Sequence, residues 1–193
     1  MSDMRGPIAT VLHSRPPTIG SSRLLGIDGH GGSGKSTLAE IVAAHLGAEV
    51  IHTDDFASWD NPKDWRPRLI DEVLLPLAQG ARELNYERSQ WWPDHKPSPV
   101  VDQQVAPIMV LEGVGALRKE FRPFLTAGVF VKATREVCMR RGIQRDSEMG
   151  TPEDVRALWE RYFADEESYM HRDRPEEYAD VAVDGTQPFE PQL

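Results

Sequence analysis

Gly29-His30-Gly31-Gly32-Ser33-Gly34-Lys35-Ser36 places a glycine, four residues and then Gly-Lys-Ser between two recognisable segments. Before it, residues 24–28 form a short apolar run; after it, Leu38, Ile41, Val42 and Leu46 recur at helical spacing. The order is strand, glycine loop, helix. Glycines in such a loop let backbone N–H groups turn toward a phosphate with no Cβ in the way, and the following helix N-terminus adds a favourable dipole. Lys35 is placed to reach the β- and γ-phosphates of a nucleotide, and the Ser36 hydroxyl to ligate Mg²⁺. Gly29, Gly31, Gly32, Ser33, Gly34, Lys35, Ser36 and Thr37 are therefore the expected nucleotide contacts. A GTPase would carry Asn-Lys-x-Asp after a late strand. The near match Asn61-Pro62-Lys63-Asp64 has the wrong spacing and lies too early, so ATP is the expected nucleotide.

Working outward, Val50 and Ile51 mark a second strand before Thr53-Asp54-Asp55, and residues 108–111 and 129–131 are continuous apolar runs of the kind a doubly buried strand shows. A last strand is predicted at 180–183. Residues 68–75 read as a helix that Pro76 interrupts. Thr151-Pro152-Glu153-Asp154 is a helix start with a hydroxyl cap, proline at the first position and acids in the first turn. Val155, Leu158, Trp159, Tyr162, Phe163, Tyr169 and Met170 continue it as an apolar stripe. Strands alternating with helices imply an α/β domain, a parallel sheet with helices on both faces. Its expected extent is 24–185, with 1–23 an appended extension and 186–193 a tail. Residues 80–106 are polar and proline-bearing and predict an irregular insert or short hairpin.

The chain has 193 residues, room for one domain, and 39% hydrophobic residues suffice for a packed core. Lys plus Arg total 22 against 31 Asp plus Glu, which argues against a broadly cationic nucleic-acid surface. The charge is uneven: 146–193 hold 14 acids and 4 bases, 1–145 hold 17 acids and 18 bases. A phosphate site belongs in the near-neutral first three quarters. Cys138 is the single cysteine, so an internal disulfide is excluded and a reducing cytoplasm is expected. Apolar runs break within about ten residues, short of the roughly 20 that a spanning helix needs. A soluble cytoplasmic protein is expected, without membrane or nucleic-acid partners; self-association to a homo-oligomer is left open.

Asp54 and Asp55 follow the second strand, at the carboxyl end of the sheet where the crevice of an open α/β fold lies. A carboxylate there can take the proton of a hydroxyl that attacks the γ-phosphate, and Asp54, at the strand end, is the expected base; a turn acid is the alternative. Glu112 ends the strand before Gly113-Val114 and can hold the metal through water, with Ser36 and Asp54. Arg141 and Arg145 share one helix face and can close over a transferring phosphoryl group as a lid at about 140–150. A solvated basic face paired with Asp146 and Glu136 is the other reading. Asp55, Tyr86, Trp91 and Glu166 are expected at the acceptor, Glu166 because it continues the apolar stripe and faces inward. A helix-edge acid, and an aromatic cluster of Tyr86, Trp91, Trp92 and His95 pinning the insert, are the alternatives. His30 reads as a tolerated loop variant and His45 as a core histidine.

Together these pieces resemble the uridine kinase-like branch of the phosphate-loop nucleoside kinases. Ile27-Asp28-Gly29, Asp54-Asp55-Phe56, Leu111-Glu112-Gly113-Val114, Arg140-Arg141 with Arg145-Asp146, and Tyr178-Ala179-Asp180-Val181 fall in that family's order. The resemblance implies a five-stranded parallel sheet in order 2-3-1-4-5 with a lid and a substrate insert, and transfer of the γ-phosphate of ATP, with Mg²⁺, to a small hydroxylated metabolite, a nucleoside first among them. It implies Asp54 as base, Glu112 at the metal, and Arg141 and Arg145 on the phosphates. Ala57 stands where the family carries an aromatic, and the insert does not follow its nucleoside-binding pattern.

Overall fold

The computed structural model describes residues 5–57, 64–89, 99–187 and 189. In chain order, α1 (Arg5–His13) leads to β1 (Arg23–Asp28), α2 (Lys35–Leu46) and β2 (Glu49–His52). α3 (Arg66–Leu69) and α4 (Leu75–Ala78) then precede a hairpin of β3 (Glu83–Glu87) and β4 (Val100–Gln104). The second half adds β5 (Ile108–Glu112), β6 (Ala127–Lys132), α5 (Arg135–Arg145), α6 (Pro152–Asp173), α7 (Pro175–Tyr178) and β7 (Val181–Asp184).

β1 lies at the centre of a five-stranded sheet, between β5 and β6, with β2 and β7 at the edges and every pairing parallel. Counting sheet strands alone, the order is 2-3-1-4-5. The strands are apolar on both faces because both are covered. Leu24 packs into a cluster with Leu69, Val73, Met109 and Leu111, whereas its neighbour Leu25 and then Ile27 pack into another with Leu38, Val42, Val110 and Val129. Gly26 makes room for Leu117, whose Cδ2 would lie 2.6 Å from a Cβ at that position.

Three features differ from the sequence reading. α1 is built into the domain: Ile8 and Leu12 are buried in the Leu25 cluster, and Arg15 pairs with Asp180 at 2.6 Å. The helical path does not end before Pro76 but runs on to Ala78. A π-turned stretch, Ile70–Leu74, widens the ladder so that the Leu75 N–H reaches Ile70 O, opening the turn just where a proline supplies no N–H. His45 is exposed on α2, not in the core. The start of α6 is as expected, a capping box in which Thr151 Oγ1 accepts the Asp154 N–H at 3.2 Å and the Thr151 N–H donates to Asp154 Oδ2 at 3.4 Å. No helix of the described residues is long and apolar enough to cross a membrane.

Candidate active site

The loop between β1 and α2 works only with glycine at its tightest points. Gly32 has φ +76°, and a Cβ there would stand 2.4 Å from the Cys138 carbonyl oxygen; at Gly29, φ +146°, it would stand 2.4 Å from Val131 O. The backbone is thereby held against β6 and α5 as it leads into the start of α2. Lys35 is only 6% exposed, and its Nζ donates to His30 O at 3.0 Å, folded back over the loop.

Ser36 opens α2 and donates from Oγ to Glu112 Oε1 at 3.1 Å. The other carboxylate oxygen, Oε2, is 2.7 Å from His52 Nδ1. Burial pushes the Glu112 carboxyl up, but the His52 hydrogen bond and the Lys35 charge outweigh it and hold the group below its ordinary value. The His52 imidazole is raised in turn, first by the hydrogen bond to Glu112. His52 escaped the sequence reading; its signal was its position at the end of the second strand, two residues before Asp54.

Asp54 sits in the short 3₁₀ turn Thr53–Asp55 after β2 and lines the same cavity as Lys35, Ser36, Thr37 and Glu112. It keeps a face open to cavity water, yet the protein walls around it desolvate the carboxyl and raise it above the ordinary value of 3.8; Lys35 opposes this and Glu112 adds to it. The Ser36 hydroxyl and the Glu112 and Asp54 carboxylates are hard oxygen donors of the kind Mg²⁺ takes, one or two carboxylates being completed by nucleotide phosphates and water. The described residues contain no cluster of three or more His, Cys, Asp or Glu that could hold a metal alone. The donor set therefore fits a nucleotide-bound Mg²⁺ better than a resident ion.

Both lid candidates line the cavity, while Arg140 is exposed elsewhere. Arg141 donates to Gly185 O at 2.6 Å, Thr186 O at 3.0 Å and Gly32 O at 3.4 Å, tying the phosphate loop to the segment after β7. Arg145 pairs with Asp146 at 2.7 Å and stacks over Trp159, whose Nε1 donates to Asp146 Oδ2 at 2.9 Å.

The expected acceptor set separates. Glu166 does face inward, but it rests on the phosphate loop: the Gly31 N–H donates to Oε1 and Oε2 at 3.2 and 3.1 Å, and His30 Nδ1 lies 2.9 Å from Oε2. His30 also stacks on Phe163, ring centroids 4.4 Å apart, so it is a fixed part of the loop. Asp55 and Tyr86 meet each other, the Tyr86 hydroxyl donating to Asp55 Oδ2 at 3.2 Å, and neither lines the cavity. Tyr86 is instead buried against Phe56, and Asp55 also pairs with Arg88 at 3.1 Å, so the two anchor the hairpin to the turn. Trp91, with Trp92 and His95, lies outside the described residues.

The cavity, of about 940 Å³, extends away from the phosphate loop to residues the sequence reading did not place at a site: Trp65, Arg66, Arg118, Arg172 and Tyr169, the last read there only as part of an apolar stripe. They come from three separate stretches of chain, so no spacing connects them. Tyr169 is braced from the loop side. Its hydroxyl donates at 2.5 Å to Asp28 Oδ2, a fully buried carboxylate that also accepts from the N–H groups of Gly29, Gly115 and Leu117. Burial raises the Asp28 carboxyl, and these four donors oppose the rise.

No protein-family model and no curated protein matches the chain. Solved structures do. A possible uridine kinase from Bacillus stearothermophilus is 22% identical, with 95% of this chain and 100% of that chain covered and a TM-score of 0.65. A candidate fructose transport system kinase from Silicibacter sp. TM1040 is 18% identical, with 94% and 99% covered and a TM-score of 0.61. The chain shares with these two structures its α/β fold, a five-stranded parallel sheet flanked by helices.

Proposed function

We propose that the protein is an ATP- and Mg²⁺-dependent phosphotransferase that moves the γ-phosphate of ATP to a hydroxyl of a small molecule. The observation that carries this reading is the shared cavity: a strand-end carboxylate, Asp54, faces the same space as the phosphate loop, Lys35 and the Ser36–Glu112 pair. A nucleotide-binding regulator needs the loop but has no use for a base opposite it. Two fold relatives bear names that refer to hydroxylated small molecules, uridine and fructose, which supports an acceptor of that class. A nucleoside is one member of it.

In this mechanism the loop N–H groups and Lys35 hold the phosphates in line with the acceptor. Ser36 and Glu112, with Asp54, would hold Mg²⁺, which when bound neutralises charge on the phosphates. Asp54 accepts the acceptor's hydroxyl proton as that oxygen bonds to the γ-phosphorus; the bond between γ-phosphorus and the bridging oxygen breaks and ADP leaves. Arg141 and Arg145 lie on the helix that would close over the transferring group.

The test is ADP release against a panel of nucleosides and other hydroxylated metabolites. If no acceptor raises turnover above the basal ATPase rate, the reading fails. Asp54→Asn is expected to lower turnover by about 10²- to 10⁴-fold, with ATP still bound.

A further inference from the structure

We propose that the end of the cavity remote from the phosphate loop is an anion subsite centred on Arg118, with Arg66 and Arg172 beside it, and that the acceptor carries a phosphate or carboxylate group that docks there. The proposal rests on the phosphotransferase reading and narrows its substrate class.

Among the described residues, Arg118 is a cation held in place by aromatic rings with no carboxylate paired to it. Its guanidinium lies 4.5 Å from the Tyr169 ring centroid and 5.6 Å from that of Trp65, contacts that fix its position through the ring faces. Its Nε is buried and has no hydrogen-bond partner, and no carboxylate forms an ion pair with its guanidinium among the described residues. Burial lowers its pKa; the Tyr169 hydroxyl and Asp173 work against that, and the charges of Arg172 and Arg66 lower it further. The Arg66 and Arg172 guanidinium groups are thus close enough to act on Arg118 at the same cavity wall.

The other arginines of the cavity are differently placed. Arg141 is satisfied by three carbonyls and Arg145 by Asp146. Arg66 pairs with Glu120 at 2.7 Å and Asp64 at 3.4 Å, and Arg172 with Asp173 at 2.6 Å. These carboxylates leave Arg118 as the guanidinium of the three with no ion pair among the described residues; Arg66, whose Nε is likewise buried without a partner, and Arg172 contribute partly neutralised fields. The support behind Arg118 is rigid. Asp28 holds the Tyr169 hydroxyl on one side and the Gly115 and Leu117 N–H groups of the segment leading to Arg118 on the other.

An anion here would be distinct from the nucleotide phosphates, which have their own loop, dipole and lysine. It would be joined to the hydroxyl presented to Asp54 in the same molecule. A neutral sugar or bare nucleoside offers Arg118 only uncharged acceptors, and replacing one of them with an anion, which makes the hydrogen bond charge-assisted on both sides, is expected to change affinity by about 10- to 100-fold.

The experiment uses the full chain loaded with Mg²⁺ and a non-hydrolysable ATP analogue, so that the phosphate loop is filled. Calorimetric titration compares ribose, ribose 5-phosphate and ribonate, with inorganic phosphate as the minimal probe; ADP release with ATP is measured for the same three sugars. At least one anionic sugar is expected to bind about 10- to 100-fold more tightly than ribose. Whether that is ribose 5-phosphate or ribonate distinguishes a phosphate from a carboxylate. Arg118→Gln is expected to reduce this affinity to that of ribose, and Arg118→Lys to retain part of the difference. Equal binding of all three sugars, an undiminished preference in Arg118→Gln, or binding of none of the probes overturns the proposal. Should thermal melting show both variants unfolded, inorganic phosphate must compete with ribose 5-phosphate on the wild-type protein; failure to compete overturns it. Arg118-dependent binding without acceptor-stimulated ADP release across the panel leaves the subsite standing and removes the phosphotransferase reading. Transfer to neutral acceptors, undiminished in Arg118→Gln, does the reverse.

Discussion

The two ends of one cavity are built in opposite ways. At the phosphate end, nine consecutive residues, 29–37, supply the loop backbone, one lysine and the Ser36 hydroxyl, and the charged and metal-facing side chains already have partners: Lys35 on His30 O, Ser36 on Glu112, Arg141 on three carbonyls. At the far end, Trp65, Arg66, Arg118, Tyr169 and Arg172 come from distant parts of the chain, and the central cation has aromatic faces but no ion pair among the described residues. Holding a nucleotide phosphate is a generic task that one local backbone conformation performs. Choosing an acceptor requires a particular side-chain arrangement, which only convergence of several elements creates.

The sharpest contrast comes from Lys35→Ala, which removes the one side-chain cation of the loop; it is expected to lower turnover by about 10²- to 10³-fold while leaving the acceptor end intact. Steady-state kinetics with both substrates varied would show it. Tyr169→Phe tests whether the ends are independent. Losing a donor to the buried Asp28 is expected to cost about 1–3 kcal/mol in denaturant unfolding. Because Asp28 also accepts the Gly29 N–H, the KM values for ATP and for acceptor should both rise; movement of one alone would show the ends to be uncoupled.

Smaller effects sharpen the same picture. Thr151→Ala removes the capping box of α6, which carries both Glu166 at the loop and Tyr169 at the far end, and should cost about 1 kcal/mol in stability. The least effect concerns pH in the metal-free protein. A carboxyl whose folded pKa is raised contributes stability below its unfolded value, here 3.8, and loses that contribution as pH rises through the folded value. Asp54→Asn should therefore melt slightly above wild type at pH 7, with the gap closing as the pH falls toward 3.8. A gap that widens on acidification would mean that Asp54 is held in its charged form.

Particular residues show where sequence reading reaches. The phosphate loop, the Asp54 and Glu112 strand ends and the Thr151 start of α6 were legible because each depends on neighbours within a few positions. Asp55 was placed at the acceptor by its strand-end position and Tyr86 by its residue type; their mutual hydrogen bond, from hairpin to turn, makes them an anchor instead. Glu166 was rightly turned inward, since helical periodicity sets direction, but its destination, the Gly31 N–H, is 135 residues away. His30 looked incidental because its partners Phe163 and Glu166 are equally remote.

By itself the sequence determined the alternation of strands and helices and the chemistry of the loop at 29–37, because backbone conformation and short-range periodicity are local properties. The tertiary structure alone decided that Arg118 stands between Trp65 and Tyr169 beside two other guanidinium groups. Charges far apart in the chain feel one another only after the sheet has brought its loops to one edge and burial has removed the water that would screen them.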